Sequence, residues 1–267
     1  MVGLRLRWDA GSAHWWLADG SAGTLQVRGP AGQDGGSWLL PEDAMPLAGA
    51  ASGRLLLCQP KRLFAGLPRQ RSRRAWSLEQ LAAVDPAEPR TSIHDGCADR
   101  HGNLVFGTRN DGPDGRPIGS FFQYSRRHGL RRLALPTVRA ACALCLSPDG
   151  RTLYFADGAW PGLLQCDYDA ERAATSHVRS FSATDEPPGQ AVVDSAGQLW
   201  LLCGKQLLQL GPDGSLLGAS LLRSAAPATL AFGGPGLTQL VLCSADGHWR
   251  QLDAAAPGLA EVPLDGV

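Results

Sequence analysis

Apolar and polar residues alternate in short runs along most of the chain, and each run is broken by a turn. The stretch TSIHDGCADRHGNLVFGT, residues 91–108, reads as a strand, a tight turn and a second strand. The same shape recurs in RWDAGSAHWWLAD (7–19), LCLSPDGRTLYFAD (144–157) and AVVDSAGQLWLL (191–202). Weaker copies are PLAGAASGRLLLCQ (46–59) and LAFGGPGLTQLVLC (230–243). The turn glycines are Gly11, Gly53, Gly102, Gly150, Gly197 and Gly236, separated by 42, 49, 48, 47 and 39 residues. Six units of about 45 residues predict an all-β chain. The expected fold is a six-bladed β-propeller with four-stranded antiparallel blades, forming a single domain over 1–267. LLQCDYD (163–169) and GSFFQYS (119–125) supply outer strands. WSLEQLAA (76–83) could pass for a helix; in this frame it is a short connection or an outer strand.

Composition agrees with many short strands. The 33 glycines and 19 prolines are spread along the whole chain rather than gathered in a linker. Lys+Arg is 25 and Asp+Glu is 25. The zero balance argues against a nucleic-acid partner, which calls for a basic face. RQRSRR (69–74) is read as an exposed loop able to touch an acidic partner. No apolar run approaches the roughly 18 residues of a membrane span, and the N-terminus has no continuous apolar segment, so a cytoplasmic protein is expected. Seven cysteines at irregular spacing are read as reduced thiols. Cys142 and Cys145 form a C-x-x-C pair, but strand periodicity puts i and i+3 on opposite faces, which argues against a zinc knuckle.

A propeller carries a rule for finding its site. Inner strands converge on a central channel, and the residue eight before each turn glycine should sit near one mouth. The rule gives Met45, His94, Cys142, Gly189 and Ala228, with Gly3 or Leu4 in the first blade.

At these positions the chain resembles the senescence marker protein/gluconolactonase family, which includes regucalcin and bacterial sugar lactonases. HDGCADRHGNLVFGT resembles the family's N-D-G…D-x-x-G-x-x-x-x-G-T segment. LCLSPDGRTLYFAD is similar to its fourth-blade strand pair, and PATLAFGGPGLTQLVLCS (227–244) to its last-blade P-T-x-L-A-F-G-G…L-Y-V-T. The resemblance implies one divalent cation held by a Glu, an Asn and an Asp from three blades, acting as Lewis acid on a lactone. Carried onto this sequence, those positions are Leu4, Cys142 and Gly189. The family's substrate-binding Asn is His94, and the Arg two residues earlier is Ser92; Asp95 and Gly96 are retained. Asp185 and Glu186, just upstream of Gly189, are the carboxylates nearest in sequence to the empty position.

Hard cations want oxygen ligands, so no metal and no other cofactor is expected. His94 and Cys142, on adjacent blades, are the candidate base and nucleophile, with Asp95 as the third catalytic candidate. The alternative is that Cys142 is a small buried hydrophobe and His94 a satisfied wall residue. His94, Ser92 and Trp160, the last in the loop GAWPG, are the candidate ligand contacts. Asp149, Asp157 and Asp194 are read as turn residues that cap backbone N–H groups. Trp15, Trp16 and Trp200 are read as packing between blades. The expected function is binding of, or action on, a small polar or lactone-like molecule in the channel, with metal-dependent activity lost. A hydrolase of cyclic esters that works without metal, and a non-catalytic propeller for a small molecule or a protein, both stay open.

Overall fold

In the computed structural model, residues 3–69, 72–222, 227–244 and 246–267 are described. Blade 1 comprises β1 (Leu4–Asp9), β2 (His14–Asp19), β3 (Thr24–Arg28) and β4 (Asp34–Leu39). Blade 2 comprises β5 (Met45–Gly49), β6 (Leu55–Gln59), β7 (Arg62–Pro68) and β8 (Trp76–Ala83). Blade 3 comprises β9 (Thr91–Ala98), β10 (Leu104–Asn110), β11 (Phe121–Ser125) and β12 (Gly129–Arg132). Blade 4 comprises β13 (Ala141–Leu146), β14 (Thr152–Asp157), β15 (Leu163–Asp169) and β16 (Ala174–Ser182). Blade 5 comprises β17 (Pro188–Val193), β18 (Leu199–Cys203), β19 (Gln206–Leu210) and β20 (Leu216–Leu221). Blade 6 has three strands among the described residues: β21 (Pro227–Gly233), β22 (Gln239–Ser244) and β23 (Trp249–Asp253). Every pairing is antiparallel within its blade, and each inner strand touches those of both neighbours, so the ring closes from β21 onto β1. This is the six-bladed propeller the repeat predicts. WSLEQLAA forms β8, the outer strand of blade 2.

Local chemistry explains the hairpins. Gly53, Gly102, Gly150, Gly197 and Gly236 all take positive φ, from 67° to 79°, which side chains disfavour. Blade 1 differs: its left-handed turn residue is Ala13 (φ 54°), not Gly11. The turn aspartates act as expected. Asp194 Oδ1 accepts the Ala196 and Gln198 N–H groups at 3.0 and 2.9 Å, and Oδ2 accepts Trp200 Nε1 at 3.0 Å. Asp149 accepts the Arg151 N–H, and Asp157 those of Arg139, Ala140 and Ala159. Of RQRSRR, Gln70 and Arg71 lie outside the described residues; the Arg69 N–H donates to Ala75 O at 2.9 Å, closing the β7–β8 turn.

The core is a set of interblade layers. Trp8, Trp15 and Trp249 pack edge to face where blade 1 meets blade 6, with centroids 5.0 and 5.6 Å apart. Trp200 meets Phe232 between blades 5 and 6, while Trp16 stacks on Trp38 within blade 1.

Five of the six inner strands carry a β-bulge near the mouth, and β1 does not. A bulge adds residues to one strand and re-aims its side chains. It overturns the parity argument for the C-x-x-C pair. Cys142 pairs with Ala156 and Cys145 with Tyr154, two residues apart on β14, so both thiols share one face. Ala143, within that bulge, takes φ 56°.

Candidate functional site in the central channel

His94 is the bulged residue of β9: its neighbours Ile93 and Asp95 pair with the consecutive residues Thr108 and Gly107. Its Nδ1 lies 2.8 Å from the Ala141 carbonyl of blade 4. A carbonyl only accepts, so Nδ1 carries the proton and a neutral ring keeps its lone pair on Nε2. Burial holds the His94 pKa below its usual value; the Arg109 and Arg5 charges push the same way, against the Ala141 bond and Asp95.

Cys142 is buried, and its Sγ donates to the Pro188 carbonyl of blade 5 at 3.2 Å. Burial pushes the thiol pKa well above its ordinary value, and the Asp95 and Asp157 carboxylates add to that. At neutral pH it is a thiol, whereas nucleophilic attack needs the thiolate. His94 and Cys142 thus stand on neighbouring inner strands, as the spacing rule predicts, with hydrogen bonds to different carbonyls. Ser92 is buried and pairs with Arg109 across the β9–β10 ladder. Trp160 is 67% exposed, on the loop after β14; like Ser92, His94, Asp95 and Cys142, it is not among the residues lining the channel cavity.

Asp95 is a crossing point. Its Oδ1 accepts the Gly96 N–H at 2.8 Å and an Arg5 Nη2 hydrogen bond. Its Oδ2 accepts the Leu144 N–H of blade 4 at 3.1 Å. Arg5 belongs to blade 1 and Asp95 to blade 3, with blade 2 between them. Their ion pair therefore spans the lumen. The Arg5 Nη2 also reaches the His94 carbonyl at 3.3 Å.

Beyond this bar, towards the hairpin turns, lies a cavity of about 320 Å³. Arg5, Arg7, Asp9, Arg100, Gln190 and Glu261 supply its charged and amide groups, set among Leu47, Leu144 and other apolar side chains. The tail, residues 254–267, crosses the turn end. The Glu261 carboxylate accepts Arg7 Nε at 2.6 Å and the Gly49 N–H at 2.7 Å. Gly49 permits this, because a Cβ there would lie 2.0 Å from Arg7 Nη2. Leu264 bridges Ala50, the Gly258 N–H donates to Leu237 O, and Arg100 holds the Ala260 carbonyl at 2.7 Å.

A model of the SMP-30/Gluconolactonase/LRE-like region matches residues 5–246. The chain belongs to this family. L-arabinolactonase of Azospirillum brasilense is 31% identical over 169 residues, 61% of this chain and 56% of that protein. The 6-deoxy-6-sulfogluconolactonase of Pseudomonas putida is 28% identical over 193 residues, 70% of this chain and 64% of that one. The chain thus spans less than two thirds of either relative. Among solved structures, a calcium-binding protein, regucalcin, from Agrobacterium tumefaciens superposes with a TM-score of 0.85 at 20% identity, covering 100% of this chain and 94% of that one.

The family's cation does not fit the residues present. Leu4 packs into the apolar layer between blades 1 and 6. The Cys142 thiol is protonated and committed to Pro188 O. Gly189 has no side chain, and a Cβ there would sit 3.3 Å from Leu202 O. The Glu186 carboxylate lies over Gly204 at the β18–β19 turn. Among the described residues no three His, Cys, Asp or Glu side chains gather to hold a metal.

Sequence reasoning missed Arg5, Arg7, Gln190 and Glu261. The signal for the first two was present. In LRLRW the arginines alternate with apolar residues, so both fall on one face of an innermost strand. Gln190 and Glu261 gave no comparable local signal.

Proposed function

We propose that the central channel binds a small, polar, lactone-like metabolite and that metal-dependent lactone hydrolysis has been lost. The observation that carries this reading is the set of replacements at the three cation positions, on a chain that keeps the family fold. A cation would polarise the lactone and lower the pKa of bound water; Leu4, Cys142 and Gly189 supply no oxygen ligands from their side chains for it. His94, at the strand-entry end and outside the lining of the 320 Å³ cavity, is the polar contact in this reading: Nε2, with no donor bonded to it among the described residues, accepts a hydrogen bond from a ligand hydroxyl. Ser92 and Trp160 stay secondary contacts in this reading. Asp95 holds Arg5 and the Leu144 N–H and acts as a positioning residue. Binding without turnover is favoured over a Cys142–His94 hydrolase, because the thiol is held protonated. The balanced charge supports a partner that is not a nucleic acid, the short apolar runs support one that is not a membrane, and seven cysteines outside any disulfide support a reducing, cytoplasmic setting.

The test is proton release from L-arabinono- and D-glucono-lactones, in chelator and with added calcium, manganese or zinc. No metal-stimulated turnover is expected, while the lactones or their acids raise the melting temperature. Metal-stimulated turnover of roughly 1–1000 per second overturns the reading.

A further inference from the structure

The Arg5 guanidinium stands inside the lumen, at the level where the inner strands begin. Its Nη2 is fixed by Asp95 and the His94 carbonyl. Its Nε and Nη1 make no hydrogen bond among the described residues, and Arg5 lines the 320 Å³ cavity. Both two-donor edges of a guanidinium share Nη2, so with Nη2 anchored the Nε–H and Nη1–H groups remain as separate single donors beside open space. Gln190 completes the arrangement from blade 5. Its Oε1 accepts Thr229 Oγ1 at 2.8 Å and the Leu230 N–H at 2.9 Å, which orients the amide. Its Nε2 has no acceptor among the described residues, and Gln190 lines the same cavity. The donors come from blades 1 and 5, with blade 6 between them, and the oxygens of Asp95, the partner of Arg5, are occupied by protein groups.

We propose that Arg5 takes over the role of the channel's cation, so that this chain binds the carboxylate of a sugar acid through Arg5 and Gln190 without any metal. This rests on the channel being the ligand site and adds the charge of the ligand and the group that recognises it. A free guanidinium N–H makes a charge-assisted hydrogen bond to one carboxylate oxygen while the Gln190 amide donates to the ligand as second partner, and the guanidinium cannot lose its proton at any working pH. Unlike a divalent ion, it neither comes off with chelator nor activates water.

The experiment uses the full chain after exhaustive chelation. The Arg5 Nε–H resonance, assigned by its loss in Arg5→Lys, is followed while acetate and L-arabinonate are titrated; calorimetry gives the affinities. The expected result is a saturable shift with arabinonate, unchanged by chelator or by calcium. Arg5→Lys, which keeps a charge for Asp95, is expected to weaken arabinonate roughly 10-fold, and Arg5→Met roughly 10–100-fold. Gln190→Met should give a smaller loss without moving the Nε–H resonance in the free protein. Binding that appears only when calcium is added overturns the proposal and leaves the lactone-acid reading standing. A saturable shift with acetate but none with arabinonate or other aldonates keeps the Arg5 anion site and removes that reading. No shift with either anion overturns the proposal, as does equal affinity in wild type and Arg5→Met.

Discussion

At the scale of single residues, His94 illustrates how surroundings set chemistry. An imidazole in water takes up a proton near pH 6.5; here burial disfavours the charged ring. The folded-state pKa is depressed, so the unfolded chain binds the extra proton first as pH falls. Stability contributed by the neutral ring is complete above about pH 6.5 and is lost as pH drops towards the folded value. Below that value both states are protonated and the loss stops. His94→Asn should therefore show a shallower decline in melting temperature than wild type between about pH 7 and 5. Parallel curves would mean that burial does not depress this histidine. The spacing rule had picked out His94 from its place in the repeat. The sequence could not say which nitrogen holds the proton, because that depends on Ala141, 47 residues away on another blade.

At the scale of elements, the inner-strand bulges decide what the channel presents. Alternation predicts faces only along an unbroken ladder, and a bulge resets the parity downstream. Cys142 and Cys145 share a face for that reason. The bulge has a conformational cost at Ala143, whose φ of 56° lies in the left-handed region while its methyl group is fully buried. Ala143→Gly is expected to leave stability nearly unchanged, since relief of strain offsets the lost methyl group. Ala143→Val should cost roughly 2–4 kcal/mol, combining a β-branched left-handed residue with overpacking. Urea unfolding of both variants checks this. A valine variant as stable as wild type would show that the bulge is not held in place. The strands and hairpin turns were legible because alternation and turn chemistry are local. The bulges were not: ALCLSPDG reads as plain alternation, and the register shift is forced by pairing with β14.

At the scale of the whole molecule, the ring brings distant residues to one axis. Arg5 and Asp95 lie ninety residues apart in sequence and meet across the lumen. Arg7 meets Glu261 at 254 residues' separation. The tail closes the turn end of the channel and inserts Leu264, which is fully buried. Deleting residues 259–267 should lower the urea midpoint by the equivalent of roughly 2–4 kcal/mol, with the loss of a buried leucine as its main part. Binding of a hydrophobic dye should rise as the cavity opens. An unchanged midpoint would mean that the tail adds nothing to ring stability. The six repeats, five of their six turn glycines and the residue types at Leu4, Cys142 and Gly189 were determined by sequence alone, because period, residue type and order are local properties. Which groups meet in the lumen was decided only by the tertiary structure. Arg5 is an ordinary strand residue until six blades close and place its guanidinium opposite a carboxylate from two blades away.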